Sequence, residues 1–196
     1  EPGNIYSGHA PYFEKYAEFL KENHIKQIFI IRDPRDITVS LYHYIMNKKP
    51  KHDYFDIFNS LGNDHNRLKT SIEGFGDGKV MYMPNPQNIP SIFQAFKAYE
   101  KWLDNQNTLC VKYEDLIAPE NSKEIAGKIL DFLNIKQFSK KYLVTHILEK
   151  GKDPIKSHTF RKGKAETWKD EYELQHEELF KKVFPESLLN KFGYKI

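Results

Sequence analysis

Four consecutive apolar residues, Ile28-Phe29-Ile30-Ile31, closed off by Arg32-Asp33-Pro34, constrain the fold of this chain more than any other segment. A short, β-branched and uninterrupted apolar run is the pattern of a strand covered on both faces of a parallel sheet. The strand, read over Ile25–Arg32, has to stop at Asp33-Pro34. Proline has no N–H for a sheet ladder but suits the first turn of a helix, and aspartate is a good helix cap. The pattern therefore predicts strand, tight turn and helix in immediate succession, with the helix running to about Met46. A second run, Asn107–Tyr113 (NTLCVKY), predicts a second buried strand.

Apolar residues at helical spacing surround these two strands. Phe13, Tyr16, Ala17 and Leu20 predict an amphipathic helix over Tyr12–Asn23, and Ile92, Phe96, Tyr99 and Leu103 predict another over Pro90–Asp104. Further helices are predicted over Ser122–Leu133, Ser139–Glu149 and Asp170–Val183. Residues 47–90 differ in texture, with Asp77-Gly78 and the prolines at 84, 86 and 90. They read as a loop-rich excursion with short helices near Tyr54–Leu61 and His65–Ile72, the kind of segment that serves as a lid or a binding loop. Strands alternating with helices in this order predict an α/β fold, a parallel sheet flanked by helices, in a single domain over 1–196. Ligands of such sheets bind beyond the carboxyl ends of the strands, which points to Arg32–Arg35 and to Tyr113–Asp115.

Composition narrows the classes of function. No apolar run approaches the roughly 20 residues of a membrane span, and the first residues lack a secretory signal pattern. The lone Cys110 rules out an intramolecular disulfide framework and fits a reducing, cytoplasmic setting. Thirty basic residues against 27 acidic give a net charge of +3, too small to argue for nucleic acid, so anion binding has to rest on local clusters. His43, His52 and His65 are spread over a helix and a loop region without ligand spacing, and no metal site is expected. Asp33 and Asp36 read as caps and partners of Arg32 and Arg35 rather than as paired catalytic carboxylates.

Two clusters could hold an anion. Arg32 stands at a strand exit and Ser40 follows eight residues later on the next helix, so a guanidinium and a hydroxyl can grip one phosphate from two directions. Within Phe160–Lys169 (FRKGKAETWK), Arg161-Lys162-Gly163 sets two cations beside a glycine whose bare backbone lets N–H groups approach an anion. Each has an ordinary alternative when taken singly: a surface ion-pair turn for RDPRD, a solvated basic loop for RKG. Trp168 reads as the packing anchor of that loop.

Together the two segments resemble motifs of the cytosolic-type sulfotransferases and their bacterial relatives. The family pattern R-D-P-R-D-x-x-V-S-x-Y-H appears as Arg32-Asp33-Pro34-Arg35-Asp36, Val39, Ser40, Tyr42 and His43. The later R-K-G-x-x-G-D-W-K pattern appears as Arg161 to Lys169, with Glu166 in place of the second glycine and Thr167 in place of the aspartate. Leu109–Leu116 (LCVKYEDL) is similar to the family's strand ending in Y-E-D, and Ser7–Pro11 (SGHAP) to its K-T-H-L-P, with Ser7 where the family has lysine.

The resemblance implies a P-loop NTPase-like sulfotransferase fold and a co-substrate, 3′-phosphoadenosine-5′-phosphosulfate, that donates its sulfuryl group to a hydroxyl or amine of a small molecule. It implies that Arg32 and Ser40 hold the 3′-phosphate, that Arg161, Lys162 and Gly163 close over it, that Tyr113 lies near the adenine and that His9 is the catalytic base. Read without the family, Tyr113 is a ring finishing the core and His9 a turn histidine. No metal, nucleic acid or membrane partner is implied.

The family's upstream P-K-S-G-T-T-W loop, which cradles the 5′-phosphosulfate, has no counterpart in these 196 residues; Gly74–Gly78 is glycine-rich but lies in the wrong place and lacks a following Lys-Ser or Lys-Thr. With Glu1 rather than Met at the start, the expectation is an N-terminally incomplete domain cut from a longer protein. Alternative readings are a carbohydrate sulfotransferase and a non-catalytic module that keeps the nucleotide grip. A P-loop kinase is disfavoured by the Arg32/Ser40 and Arg161-Lys162-Gly163 pairings. The acceptor pocket is expected near Tyr12 and the aromatics Tyr54, Phe55, Phe58, Phe75 and Tyr82.

Overall fold

A computed structural model describes residues 5–48, 51–76, 88–136, 142, 145 and 163–195. Its centre is a parallel pair of strands, β1 (Gln27–Ile31) and β2 (Thr108–Lys112), in register from Gln27 opposite Thr108 to Ile31 opposite Lys112. Parallel strands need a long crossover. Here the described part of that crossover is helical: α2 (Pro34–Lys48), α3 (Phe55–Ser60), α4 (Asp64–Glu73) and α5 (Ile92–Tyr99), the last tightening into a 3₁₀ turn over Glu100–Asp104. Helix α1 (Glu14–Glu22) leads into β1. After β2 come α6 (Tyr113–Ile117), α7 (Pro119–Leu133), a 3₁₀ turn at Thr167–Asp170, α8 (Leu174–Val183) and α9 (Glu186–Lys191).

The main core is assembled from helices that the sequence leaves far apart. Val39 and Ile45 of α2, Phe58 of α3, Ile72 of α4, Phe184 and Leu189 are all wholly buried, and Phe96 of α5 meets the rings of Phe184 and Phe192 edge-on. Phe58, expected near an acceptor pocket, is thus part of this core; Tyr54 and Phe55 pack against it, while Phe75 is half exposed. Tyr82 lies outside the described residues. A smaller cluster centres on the fully buried Trp102 with Ala17 and Leu20 of α1. Its indole N–H donates to the Ala10 carbonyl at 3.1 Å, which ties the segment before α1 to the crossover.

Gly74 ends α4 at φ +81°, and a side chain there would meet the Ile89 carbonyl oxygen at 2.5 Å. Only glycine permits both the left-handed turn and this approach, which lets Phe75 pair with Ile89 in an isolated antiparallel bridge. The excursion over 47–90 is therefore, in its described part, mostly helical and packed against α2.

Several expectations need correction. β1 is not covered on both faces by the described residues: Ile30 is 56% exposed, because none of them packs over the side to which it points. β2 stops at Lys112, and Tyr113 opens α6, where Glu114 and Asp115 in the first turn suit the positive end of the helix dipole. Helix α7 begins at Pro119, earlier than the apolar spacing suggested, because proline suits a first helical position. The helix read over Asp170–Val183 is broken into a 3₁₀ turn and α8, since the ring of His176 caps the main-chain N–H of Glu173 and starts a new helix there. The helix read over Ser139–Glu149 lies outside the described residues save for Tyr142 and Thr145, both helical.

A candidate anion site at the strand exits

Arg32 leaves the end of β1 with its guanidinium spread across three elements. Nη1 donates to Ser40 Oγ on α2 at 3.2 Å, and Nη2 donates to Asp36 Oδ2 and to the Lys164 carbonyl, each at 3.2 Å. The same group lies over the ring of Tyr113, 4.7 Å from its centroid, in cation–π contact. The buried Nε–H of Arg32 has no hydrogen-bond partner among the described residues. An unpaired donor on a part-buried cation is costly to leave so, and it fits an incoming oxyanion. Burial pushes the Tyr113 hydroxyl above its ordinary range against the opposing pull of Arg32, so it stays neutral near pH 7.

A second layer holds this arginine's surroundings. Asp33 and Asp36 act as the sequence suggested: Arg35 forks onto Asp33 at 2.9 and 2.6 Å, and Asp36 pairs with Arg32. The Asp33 N–H donates to Glu114 at 2.9 Å, and the Tyr194 hydroxyl donates to the same carboxylate at 2.7 Å, so the two strand exits share one acid. Trp168 packs against the main core and carries Arg35 over its ring, consistent with an anchoring part for that residue.

Of the residues singled out from sequence, Arg32, Ser40 and Tyr113 therefore meet, and the loop beginning at Gly163 reaches them through the Lys164 carbonyl. Gly163 takes φ +60°, a left-handed conformation suited to glycine. Arg161 and Lys162 lie outside the described residues. His9 is exposed, on the segment before α1 that forms neither helix nor strand, and makes no hydrogen bond or ion pair with Arg32, Ser40 or Tyr113.

Sequence reasoning missed one acid, Glu171, and the long-range bonds of another, Asp36. Asp36 accepts from the Glu166 N–H, the Thr167 hydroxyl and the Trp168 N–H as well as from Arg32. Glu171 accepts from the Tyr42 hydroxyl and stands 2.7 Å from His43 Nε2. Both contacts span more than a hundred residues, so no local pattern announces them.

His65, expected to stand alone, meets Glu173 at 2.9 Å and lies with His176 in a group whose ligand atoms fall within 4.8 Å of one another. Both ring nitrogens of His176 are bonded to main chain, Nδ1 to the Glu173 N–H and Nε2 to the His65 carbonyl, so this ring caps a helix and offers no open lone pair. A cleft of about 530 Å³ lies elsewhere, at the opposite end of β2, between Tyr12, Glu14 and Lys21 on one side and Lys101 and Asn105–Asn107 on the other.

Comparison with known proteins bears on the family and the fold. Residues 4–193 match the profile of the family described as Sulfotransferase domain. Sulfotransferase 1B1 of the dog is 26% identical over 176 residues, covering 85% of this chain and 56% of its own length. Sulfotransferase 2A1 of the rat is 25% identical over 201 residues, covering 94% of the chain and 63% of its own. The amine sulfotransferase of the rabbit is 25% identical, covering 94% and 61%. The chain thus spans less than two thirds of the length of these relatives. Among solved structures, mouse sulfotransferase SULT7A1 complexed with PAP is similar in fold, with a TM-score of 0.57 and 20% identity over 88% of this chain and 60% of that one. No described helix is long and apolar enough to cross a membrane.

Proposed function

The chain belongs to the sulfotransferase domain family, and on that premise we propose that it transfers a sulfuryl group from 3′-phosphoadenosine-5′-phosphosulfate to a hydroxyl or amine of a small-molecule acceptor, as a single domain over 1–196. The observation that carries the reading is the Arg32 guanidinium, bonded to Ser40 across the end of β1 and keeping a buried Nε–H without an acceptor among the described residues. A dianionic 3′-phosphate supplies what that donor lacks, and each charge-assisted bond to it contributes about 1.5–3 kcal/mol.

In this reading Arg32 and Ser40 hold the 3′-phosphate, and the loop of Arg161, Lys162 and Gly163 closes on it. The ring of Tyr113 borders the adenine. His9, an exposed imidazole, accepts the acceptor's proton as its oxygen or nitrogen attacks sulfur and the bond from sulfur to the nucleotide's phosphate oxygen breaks. The reading asks for no metal. The names of the relatives, an amine sulfotransferase and 3-alpha- and 3-beta-hydroxysteroid sulfotransferases of the guinea pig among them, support a small organic acceptor.

Calorimetric titration tests it. 3′-Phosphoadenosine-5′-phosphate (PAP) should bind this chain far more tightly than 5′-AMP, which lacks the 3′-phosphate, and Arg32→Ala should lose that preference by about 1.5–3 kcal/mol. Equal binding of the two nucleotides would sink the assignment. Transfer of labelled sulfuryl groups to phenol, alcohol and amine panels, lost in His9→Ala while PAP binding persists, separates an enzyme from a module that only binds.

A further inference from the structure

Asp36, on the first turn of α2, is fully buried, and its carboxylate is saturated. Oδ1 accepts from Thr167 Oγ1 and the Trp168 N–H, each at 3.0 Å; Oδ2 accepts from the Glu166 N–H at 2.9 Å and from Arg32 Nη2 at 3.2 Å. Three of these four donors belong to one short stretch of the late loop, and the fourth belongs to the arginine assigned to the nucleotide. A buried carboxylate is tolerated only when it is paired and fully hydrogen-bonded, so the loop and Arg32 are held to the same point by the same charge.

The backbone explains how. Glu166 sits at φ +59°, and this left-handed turn aims the N–H groups of 166 and 168 at one spot, as anion-binding backbone nests do. The anion in this nest is the protein's own side chain. The Lys164 carbonyl then reaches back to the other hydrogen of Arg32 Nη2, so the spacing between the guanidinium and the start of the loop is set twice.

We infer that Asp36 is a positioning residue: by clamping residues 164–168 onto Arg32 it fixes the guanidinium and the loop at the separation that makes the site selective for a 3′-phosphate. This rests on the nucleotide reading above. Asp36 touches no substrate in it; it acts through Arg32 and the loop.

The test compares wild type, Asp36→Asn and Thr167→Val, each titrated with PAP and with 5′-AMP, while hydrogen exchange follows the loop amides. Asparagine keeps the shape but turns a donor toward donors. Asp36→Asn should lose about tenfold or more in PAP affinity with little change for 5′-AMP, and the amides of 166 and 168 should exchange faster. Thr167→Val removes one donor without changing charge and should move the PAP to 5′-AMP ratio the same way, by about threefold. It decides the question if Asp36→Asn fails to fold.

A lower melting temperature with an unchanged ratio would make Asp36 merely structural and overturn the inference. Tighter PAP binding by Asp36→Asn would show a competitor for Arg32, not a positioner, and would overturn it too. Failure of the wild type to prefer PAP sinks the nucleotide reading itself, a result seen in the wild-type titrations alone.

Discussion

The Arg35 guanidinium lies over the ring of Trp168, 4.1 Å from Cζ to the centroid, while Asp33 grips the same group through two bonds of 2.9 and 2.6 Å. One planar cation therefore joins the turn after β1 to the late loop. Lysine cannot reproduce this, because an ammonium has neither the fork nor the flat face. Arg35→Lys should lower the unfolding free energy by about 1–3 kcal/mol, measured by urea denaturation. A change within experimental error would mean that Trp168 is held by core packing alone.

Glu166 occupies a left-handed conformation, φ +59°, at the position where the family pattern has glycine. A side chain there costs about 1 kcal/mol or more relative to glycine. Its compensation is an ion pair with Lys169 at 2.7 Å. Both partners are more than half exposed, so the pair contributes at most about 1 kcal/mol and less in salt. Glu166→Gly should therefore stabilise the chain by about 0.5 kcal/mol, more clearly at high salt, seen as a higher urea midpoint at unchanged slope. Gly163→Ala, at φ +60°, should go the other way by about 1 kcal/mol.

These two positions mark where sequence reasoning stops. The strand-turn-helix at Ile28–Ser40 was legible because an apolar run and a proline each leave a local trace, and the meeting of Arg32 with Ser40 follows from their spacing across one turn. The exposure of Ile30 was not legible, since a strand's apolar run does not say whether a neighbour covers each face. Tyr113 looked like a strand end because its apolar neighbours precede it, yet the acids after it begin a helix. Asp36 was read as a partner of Arg32, but its hold on residues 166–168 joins segments 130 residues apart and depends on a backbone turn that glutamate does not advertise. The cap that His176 places on α8 was hidden for a similar reason, since its second nitrogen is satisfied by His65, 111 residues away.

His176 also makes stability sensitive to acid. Its Nδ1 accepts the Glu173 N–H and its Nε2–H donates to the His65 carbonyl, an arrangement open only to the neutral ring. Burial, first of all, holds its pKa below the ordinary 6.5. The unfolded chain then binds a proton near pH 6.5 that the folded chain refuses, so stability present above that pH is lost as the pH falls toward the folded pKa. The slope is at most about 1.4 kcal/mol per pH unit for one group. His176→Gln should flatten the dependence of the urea midpoint between pH 6.5 and 5. A remnant in the same direction should persist, because burial also lowers the pKa of His52.

Tyr113 offers the site either a hydroxyl or a ring, and the two can be separated. Arg32 rests on the ring face at 4.7 Å, and burial keeps the hydroxyl neutral, so at neutral pH the phenol carries no charge to balance the guanidinium. If the ring is what matters, Tyr113→Phe should keep PAP affinity within about 0.5 kcal/mol, while Tyr113→Ala, which removes the platform under Arg32, should lose about 1–2 kcal/mol. The loss should be larger for PAP than for 5′-AMP, because the platform orients the cation that answers the 3′-phosphate. Equal losses in the phenylalanine and alanine variants would assign the contribution to the hydroxyl instead, as a hydrogen bond to the nucleotide. A loss in alanine that is the same for both ligands would mean that the ring serves only the adenine it borders, with Arg32 held by Asp36, Ser40 and the Lys164 carbonyl.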